Sequence, residues 1–180
     1  LVADVSIVDR ETIESSGAAG VGDVLARLPG IEMGRAGGPG GSTSIFVRGA
    51  ETRFAAVYID GVRVDSQAGS GGTTWEAIPL AQIERIEVLR GPAAAVYGSD
   101  AVAGVIQIFT KKGEAGVAPY VGVGAGTHGT YRTEAGVSGA RGTVDYALGL
   151  ARETSNGFNA KLDGNPDRDD HRSTSASGRL

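Results

Sequence analysis

Residues 83–112 read IERIEVLRGPAAAVYGSDAVAGVIQIFTKK, and this stretch is the most informative part of the chain because it holds two strand signals separated by a break. In residues 83–90, apolar positions are interspersed with four charged ones, which is typical of a half-buried strand. The pair Gly91-Pro92 ends that strand, because proline cannot donate a ladder hydrogen bond and glycine accepts backbone angles that other residues avoid. The apolar, β-branched run 102–110 predicts the second strand.

The residues before this stretch predict a small α+β domain with two glycine-rich loops. In chain order, the predicted elements are a strand at 5–8, a helix capped by Asp9, a helix at 21–28, strands at 45–49 and 55–59, and a hairpin turn at Asp60-Gly61. The loops are GRAGGPGGSTS at 34–44 and DSQAGSGGTT at 65–74. The first loop does not predict a phosphate site, because no Gly-Lys-Ser/Thr follows it.

Beyond residue 113 the pattern changes to short alternating segments. Residues 111–116 are polar and predict a linker, and residues 118–180 predict four antiparallel strands with apolar side chains on one face. The same alternation is equally typical of any antiparallel sheet with one solvated face. A tight turn is predicted at 139–142 and a long polar loop at 154–172.

Composition narrows the classes of protein further. The chain has 180 residues, 30 of them glycine, with 41% apolar and 21% charged residues, so it is neither disordered nor collagen-like. A net charge of −4 argues against a nucleic-acid surface, which normally needs a basic excess. The absence of cysteine excludes disulfides and thiolate metal sites.

Three motifs in order resemble the plug domain of TonB-dependent outer-membrane receptors. The strongest lies in the central stretch, and IFVRG at 45–49 and VYIDGVRV at 57–64 match two further plug motifs at the family's spacing. In the central stretch the matching residues are Ile86, Glu87, Gly91-Pro92, Tyr97-Gly98, Gly104 and Ile108. The segments SIFVRG, IDGVR and AVYGSDAVAGV are most similar to the corresponding segments of the family members that take up cobalamin.

This resemblance implies an α+β plug domain at residues 1–113, followed by the first strands of an antiparallel transmembrane β-barrel at 118–180. It implies an outer-membrane transporter that is not an enzyme, needs no cofactor, contacts outer-membrane lipid and takes up cobalamin or a siderophore. Its energy-coupling partner would be TonB. The chain shows no leader and no TonB-binding segment, so we expect it to be truncated at both ends.

The resemblance also implies candidate site residues. The two glycine-rich loops are expected to face the ligand, the alternative being flexible connectors. The ligand-facing residues are Gly37, Gly38, Gly40, Gly41, Ser42 and Ser44 in the first loop, and Asp65, Ser66, Gln67, Ser70 and Thr73 in the second. Family arginines at the positions of Arg48 and Arg90 pair with barrel glutamates and seat the plug, whereas the alternative for each is an ordinary exposed cation.

The acidic stretch of the long loop is a candidate calcium site. Its hard oxygen donors lie at Asp163, Asp167, Asp169 and Asp170, the alternative being a merely soluble acidic loop. The sequence contains no recognisable set of catalytic residues. Two other classes stay open: a soluble nucleotide-binding enzyme built around residues 91–98, and an outer-membrane adhesin or structural barrel.

Overall fold

The computed structural model describes residues 4–38, 40–66, 71–91, 94–113, 115–159 and 170–180. The chain forms two compact units, Leu1–Arg35 with Ser42–Thr110, and residues 36–41 with Lys111–Leu180. The changeover at Thr110 lies just before the linker predicted at 111–116. No helix in the described ranges is long and apolar enough to cross a membrane.

The first unit is built on a five-stranded mixed sheet in the order β1-β6-β7-β4-β5. Its strands are β1 (Asp4–Asp9), β4 (Ala55–Ile59), β5 (Val62–Arg63), β6 (Ile83–Arg90) and β7 (Gly104–Thr110). β4 pairs with β7 in parallel, and the other neighbours are antiparallel. β6 and β7 are the two strands predicted from the central stretch, and they pair with each other.

Three short helices and a separate strand pair complete this unit. They are α1 (Arg10–Ser15), α2 (Val21–Leu25), α3 (Ala94–Tyr97), β2 (Ile31–Arg35) and β3 (Thr43–Val47). Asp9 caps α1 as predicted, since its Oδ1 accepts a hydrogen bond from the Thr12 amide at 2.9 Å. The bonds from Thr12 hold the pKa of the Asp9 carboxyl below its ordinary value.

The structure corrects several predicted boundaries. α2 ends at Leu25 rather than at Leu28, because the last turn continues only as isolated hydrogen bonds. β2 was not predicted, and β3 begins at Thr43, so the loop predicted at 34–44 is reduced to residues 36–42. Gly34 pairs with Ser44 across these two strands. β-pairing over five residues outweighed the low strand propensity of glycine.

One hydrophobic core fills the space between the sheet, the helices and the β2–β3 pair. Its fully buried large side chains include Leu25, Ile45, Ile83, Ile86, Ile106 and Ile108. A second, smaller cluster covers the opposite face of the sheet, where Tyr97 packs its ring against Tyr58 at 5.7 Å. Gln107 Nε2 donates a hydrogen bond to the Tyr97 hydroxyl at 2.7 Å. The Tyr-Gly motif of the central stretch therefore anchors the segment after β6 to the sheet.

The second unit is a four-stranded antiparallel sheet in the order β11-β10-β9-β8. Its strands are β8 (Gly116–Gly126), β9 (Thr130–Arg141), β10 (Val144–Ser155) and β11 (His171–Arg179). This confirms the predicted α+β unit followed by antiparallel strands. The tight turn lies between Arg141 and Val144, two residues later than predicted, because Gly139 remains paired with Tyr146.

Side chains alternate between the two faces of this second sheet, and one face carries its most exposed apolar side chains. We call it the exposed face, and it includes Val121, Val123, Leu148 and Leu150, each more than half exposed. The tight turn lies at one end of the sheet and the 156–170 connection at the other, since β10 runs between them.

Candidate functional site

The two arginines predicted to act together are brought together by the fold. Arg48 follows β3 with a positive φ of 54°, and Arg90 is the last residue of β6. Arg48 Nη2 lies 2.8 Å from Asp4 Oδ2, and Arg90 Nη1 lies 3.1 Å from Asp4 Oδ1. A single carboxylate therefore binds both guanidinium groups, one through each oxygen.

The two guanidinium groups differ in their exposure. The Arg90 side chain is only 3% exposed, and its Nη2 donates a second hydrogen bond to Ser6 Oγ at 2.8 Å. Its Nε has no hydrogen-bond partner among the described residues. The Arg48 side chain is 51% exposed. Of the two, Arg48 is therefore the one that a group from outside this unit can reach.

Sequence reasoning did not identify Asp4 as the shared partner. Asp4 lies 44 residues from Arg48 and 86 from Arg90, so no local pattern connects the three. A signal was present nonetheless: Asp4 and Ser6 lie on the same side of β1 as buried Val8, because side chains alternate along a strand. A carboxylate on the core side of a strand needs a cation nearby.

The first glycine-rich loop is closed by tight backbone contacts. The Gly41 amide donates a hydrogen bond to the Gly38 carbonyl at 3.0 Å. A Cβ on Gly41 would lie 2.0 Å from the Ala36 carbonyl oxygen, so only glycine fits there. Gly37 and Gly40 have φ values of 87° and 86°, which side-chain-bearing residues rarely adopt. Ser44 lies in β3 rather than in this loop.

The second glycine-rich loop is closed at its base. Ser66 and Gly72 exchange two backbone hydrogen bonds of 2.8 and 2.9 Å. Gln67 and Ser70 lie outside the described residues, whereas the Thr73 hydroxyl is buried without a hydrogen-bond partner in the described part of the chain. Backbone hydrogen bonds within the plug unit therefore hold the two ends of this loop together.

Asp65 belongs to the anchoring of this loop. Its carboxylate is fully buried, accepts the Val57 amide at 2.9 Å and forms a forked contact with Arg63. Arg63 Nη2 also lies 3.1 Å from Asp100 Oδ2, which links the loop base to the segment after α3. The hydrogen bond to Asp65, followed by that to Asp100, raises the pKa of Arg63 above its ordinary value despite its desolvation.

The candidate calcium residues are only partly within the described ranges. Asp163, Asp167 and Asp169 lie outside them. Asp170 is described, and its Oδ2 lies 3.9 Å from Arg172 Nε. Among the described residues, no three acidic or histidine side chains come close enough to hold a metal ion.

Comparison with known proteins places these features in a family. The family described as TonB-dependent Receptor Plug Domain matches residues 1–105. The vitamin B12 transporter BtuB of Vibrio vulnificus is 42% identical over 127 residues, which cover 71% of this chain and 21% of that protein. The vitamin B12 transporter BtuB of Photobacterium profundum is 38% identical over 162 residues, covering 89% of this chain and 26% of that protein.

A solved structure shows the same fold. The siderophore receptor PirA from Acinetobacter baumannii superposes with a TM-score of 0.69 at 26% identity, covering 89% of this chain and 26% of that chain. This chain spans about a quarter of the length of the curated relatives it matches. Because the family match covers 105 of 180 residues, the chain belongs to the TonB-dependent receptor plug-domain family.

Proposed function

We propose that this chain is the plug and the first wall strands of an outer-membrane transporter that takes up cobalamin. The observation that carries the proposal is the similarity to two vitamin B12 transporters, at 42% and 38% identity. The second alignment spans 162 residues, so it extends past the plug into the second sheet. The similarity is therefore not confined to motifs that all plugs share.

The transport mechanism we propose depends on moving the plug within a barrel. A barrel wide enough for a bulky ligand would leak if it were open, so a plug must close it and yield when the ligand is bound. TonB would supply the force as the partner of this chain. The 30 glycines suit such a movement, because glycine changes its backbone angles at low steric cost.

The ligand-facing residues we propose are those of the two glycine-rich loops, together with Ser44 in the adjoining strand β3. Gly37, Gly38, Gly40, Gly41, Ser42, Ser44, Ser66, Gln67, Ser70 and Thr73 would contact the ligand. Their small side chains let backbone amides approach amide groups of a corrinoid closely. Asp65 would act from inside the plug, since its buried carboxylate holds the base of the second loop through Val57 and Arg63.

Ligand binding to the full-length receptor tests the proposal. The receptor is titrated with cyanocobalamin and, separately, with a ferric catecholate siderophore. We expect tight binding of cyanocobalamin alone. Tight binding of the siderophore alone would overturn the corrinoid assignment and leave the transporter class intact.

A siderophore transporter is the second candidate, because the chain also shares its fold with a siderophore receptor. The same titration separates the two candidates. A receptor that binds neither ligand, although it is folded, would leave a non-transport barrel as the remaining function.

We further propose that Arg48 and Arg90 help seat the plug against barrel glutamates, Arg48 by direct contact and the buried Arg90 through the Asp4 carboxylate that both arginines bind. The half-exposed guanidinium of Arg48 supports this role, while Asp4 would hold both arginines in position from within the plug. In the full receptor, alanine at both positions should increase the leakage of large antibiotics and leave ligand affinity nearly unchanged. Arg53→Ala is the matched control, because Arg53 is an exposed arginine whose contacts among the described residues are local, with Glu51 and the Phe54 ring. Normal leakage in the double variant would exclude the seating role.

A calcium site in the long loop is a separate proposal, carried by the acidic residues Asp163, Asp167, Asp169 and Asp170. Calcium would order the loop and so strengthen ligand binding. Cyanocobalamin titrations with and without calcium test it. If the affinity for cyanocobalamin does not depend on calcium, the proposed metal site is wrong and the other proposals are unaffected.

A further inference from the structure

The exposed face of the second sheet carries charge of one sign only. In the described strands β8 to β11, its charged residues are Arg141, Arg152 and Arg172. The acidic residues Glu134, Asp145 and Glu153 all lie on the opposite face, because successive side chains along a strand point to opposite faces of the sheet. An anion that meets the exposed face therefore encounters no carboxylate within the strands.

Two of these arginines are neighbours across β10 and β11. Arg152 lies opposite Thr174, and Arg172 lies opposite Thr154, so the two arginines are diagonal partners. Diagonal partners are about 7–8 Å apart at the backbone, within reach of long side chains. Two adjacent guanidinium groups repel each other unless an anion lies between them.

The described residues supply little compensation for this repulsion. Arg152 has no acidic partner within 4.0 Å among the described residues. Arg172 has Asp170 at 3.9 Å, at the limit of an ion pair, and the Arg172 side chain is 76% exposed. Both guanidinium groups therefore remain able to bind an anion from outside.

Hydroxyl groups surround the two arginines in the last rows of the sheet. One row contains Tyr131, Thr154 and Arg172, and the next contains Thr133, Arg152 and Thr174. Threonine and tyrosine hydroxyls donate hydrogen bonds to phosphate oxygens, and guanidinium binds phosphate through parallel hydrogen bonds. These two rows thus offer the donor set that a phosphate group requires.

The face becomes wholly apolar at the following row, after two rows in which β8 already contributes Ala125 and Val123. Leu150 lies there between Ala135 and Ala176, and Leu148, Val121 and further apolar residues continue the same face. The cationic and hydroxyl donors of β9, β10 and β11 are thus followed, in the next rows of the same face, by a continuous apolar surface. This arrangement matches a lipid that has a phosphate headgroup and acyl chains.

We propose that Arg152 and Arg172 bind the phosphate of an outer-leaflet glycolipid whose acyl chains lie along the apolar rows below them. The arginines stand at the end of the sheet that carries the 156–170 connection, and placing that end toward the outer leaflet rests on the proposed outer-membrane function. The lipid has the chemistry of lipid A, an acylated disaccharide that bears phosphomonoesters.

Native mass spectrometry of the full-length receptor in detergent tests this site. The receptor is equilibrated with bisphosphorylated lipid A, with fully dephosphorylated lipid A, or with bisphosphorylated lipid A in excess inorganic phosphate. We expect the wild type to retain bisphosphorylated lipid A at least tenfold more strongly than the dephosphorylated form. Inorganic phosphate alone should not displace it, because the acyl chains contribute to binding.

The variants distinguish a specific site from general charge. Arg152→Gln with Arg172→Gln should lose the preference for the phosphorylated lipid, and lysine at both positions should retain part of it. Arg141→Gln is the matched control, since it removes the same charge from the same face at the opposite end. The proposal is overturned if the double glutamine variant retains lipid A as the wild type does, if Arg141→Gln causes an equal loss, or if inorganic phosphate displaces the lipid.

A parallel cyanocobalamin and siderophore titration keeps the two proposals separate. A variant that binds its transport ligand normally is folded. If such a receptor does not distinguish phosphorylated from dephosphorylated lipid A, only the lipid-site proposal is overturned. A receptor that discriminates the phosphorylated lipid but binds neither transport ligand would overturn the proposed function and leave the lipid site standing.

Discussion

At the scale of single residues, two carboxylates of the plug connect different parts of the chain. Asp4 lies at the start of the edge strand β1 and binds two arginines from distant parts of the chain. Asp65 is fully buried and binds Val57 and Arg63 at the base of a loop. Each carboxylate joins segments that the backbone ladder alone would not hold together.

Replacing Asp4 by asparagine should loosen β1. The neutral amide removes the charge that balances Arg90, whose side chain is almost completely buried. Breaking a buried pair costs about 3–5 kcal/mol, but Asp4 is half exposed, so we expect a loss of about 1–2 kcal/mol in the opening free energy of β1. Amide hydrogen exchange across Asp4–Asp9 in the full-length receptor measures this opening free energy.

A matched control for this change is Glu84→Gln. Among the described residues, the one ion pair of Glu84 is a long contact of 3.9 Å with Arg10 Nη1, and both side chains are exposed. Its effect on β1 should be below about 0.5 kcal/mol. Equal exchange rates in the two variants would show that Asp4 does not hold the strand.

Replacing Asp65 by alanine should destabilise the second glycine-rich loop more severely. The change leaves the Val57 amide without its acceptor and removes the buried contact of Arg63. We expect a loss of about 2–3 kcal/mol in local stability, measured by hydrogen exchange at Val57 and Ser66 in the full-length receptor. Asp100→Ala, at the more exposed end of the same arginine, should cost less than about 1 kcal/mol. The reverse order of the two effects would contradict the anchoring role of Asp65.

At the scale of the elements, the central stretch works because β6 and β7 approach each other closely. Gly104 begins β7 opposite Arg90, and a Cβ at this position would lie 2.3 Å from the Leu89 carbonyl oxygen. That oxygen belongs to the backbone of β6, so it cannot move aside as a flexible side chain could. The glycine of the motif is therefore required by the pairing of the two strands.

Gly104→Ala should separate β6 from β7 at the end that carries Arg90. Overpacking of this kind costs about 1–3 kcal/mol, and we expect the upper part of that range because the obstacle is backbone. Hydrogen exchange at Leu89 and Val105 in the full-length receptor reports the change. Gly34→Ala is the control, since its nearest neighbour would be the Phe46 ring at 3.5 Å, an ordinary contact. Comparable protection in both variants would mean that the strands can accommodate the methyl group.

At the scale of the whole molecule, the two sheets differ in how much apolar surface they expose to solvent. The five-stranded sheet has a core on one face and a smaller apolar cluster on the other. The four-stranded sheet leaves Val121, Val123, Leu148 and Leu150 exposed. Its outer strands β8 and β11 each have one edge that is unpaired in the described part of the chain. Exposed edges and apolar faces both favour association.

The 180-residue chain alone should therefore associate in buffer without detergent. Light scattering should show large species that a detergent reduces, because detergent covers the apolar face. A chain that ends at Thr110 lacks this sheet and should scatter less at the same concentration. A monodisperse 180-residue chain with protected amides across residues 121–150 would contradict the lipid-facing interpretation of the sheet.

The family, the strands of the central stretch and the alternating pattern of the second sheet could all be predicted from the order of the residues. These features are local: strand periodicity repeats every two residues, and the plug motifs occupy short segments. Asp60-Gly61 was predictable for the same reason, since both residues take positive φ in the tight turn between β4 and β5.

Which distant residues contact each other became known from the folded chain alone. The parallel pairing of β4 with β7 joins segments about fifty residues apart, and the convergence of Arg48 and Arg90 on Asp4 spans 44 and 86 residues. Such contacts follow from which faces are buried together, and periodicity along one strand carries no information about its neighbour. The same limit hid the burial of Asp65, whose environment is formed by Val57 and Arg63 only after β4 and β5 have paired.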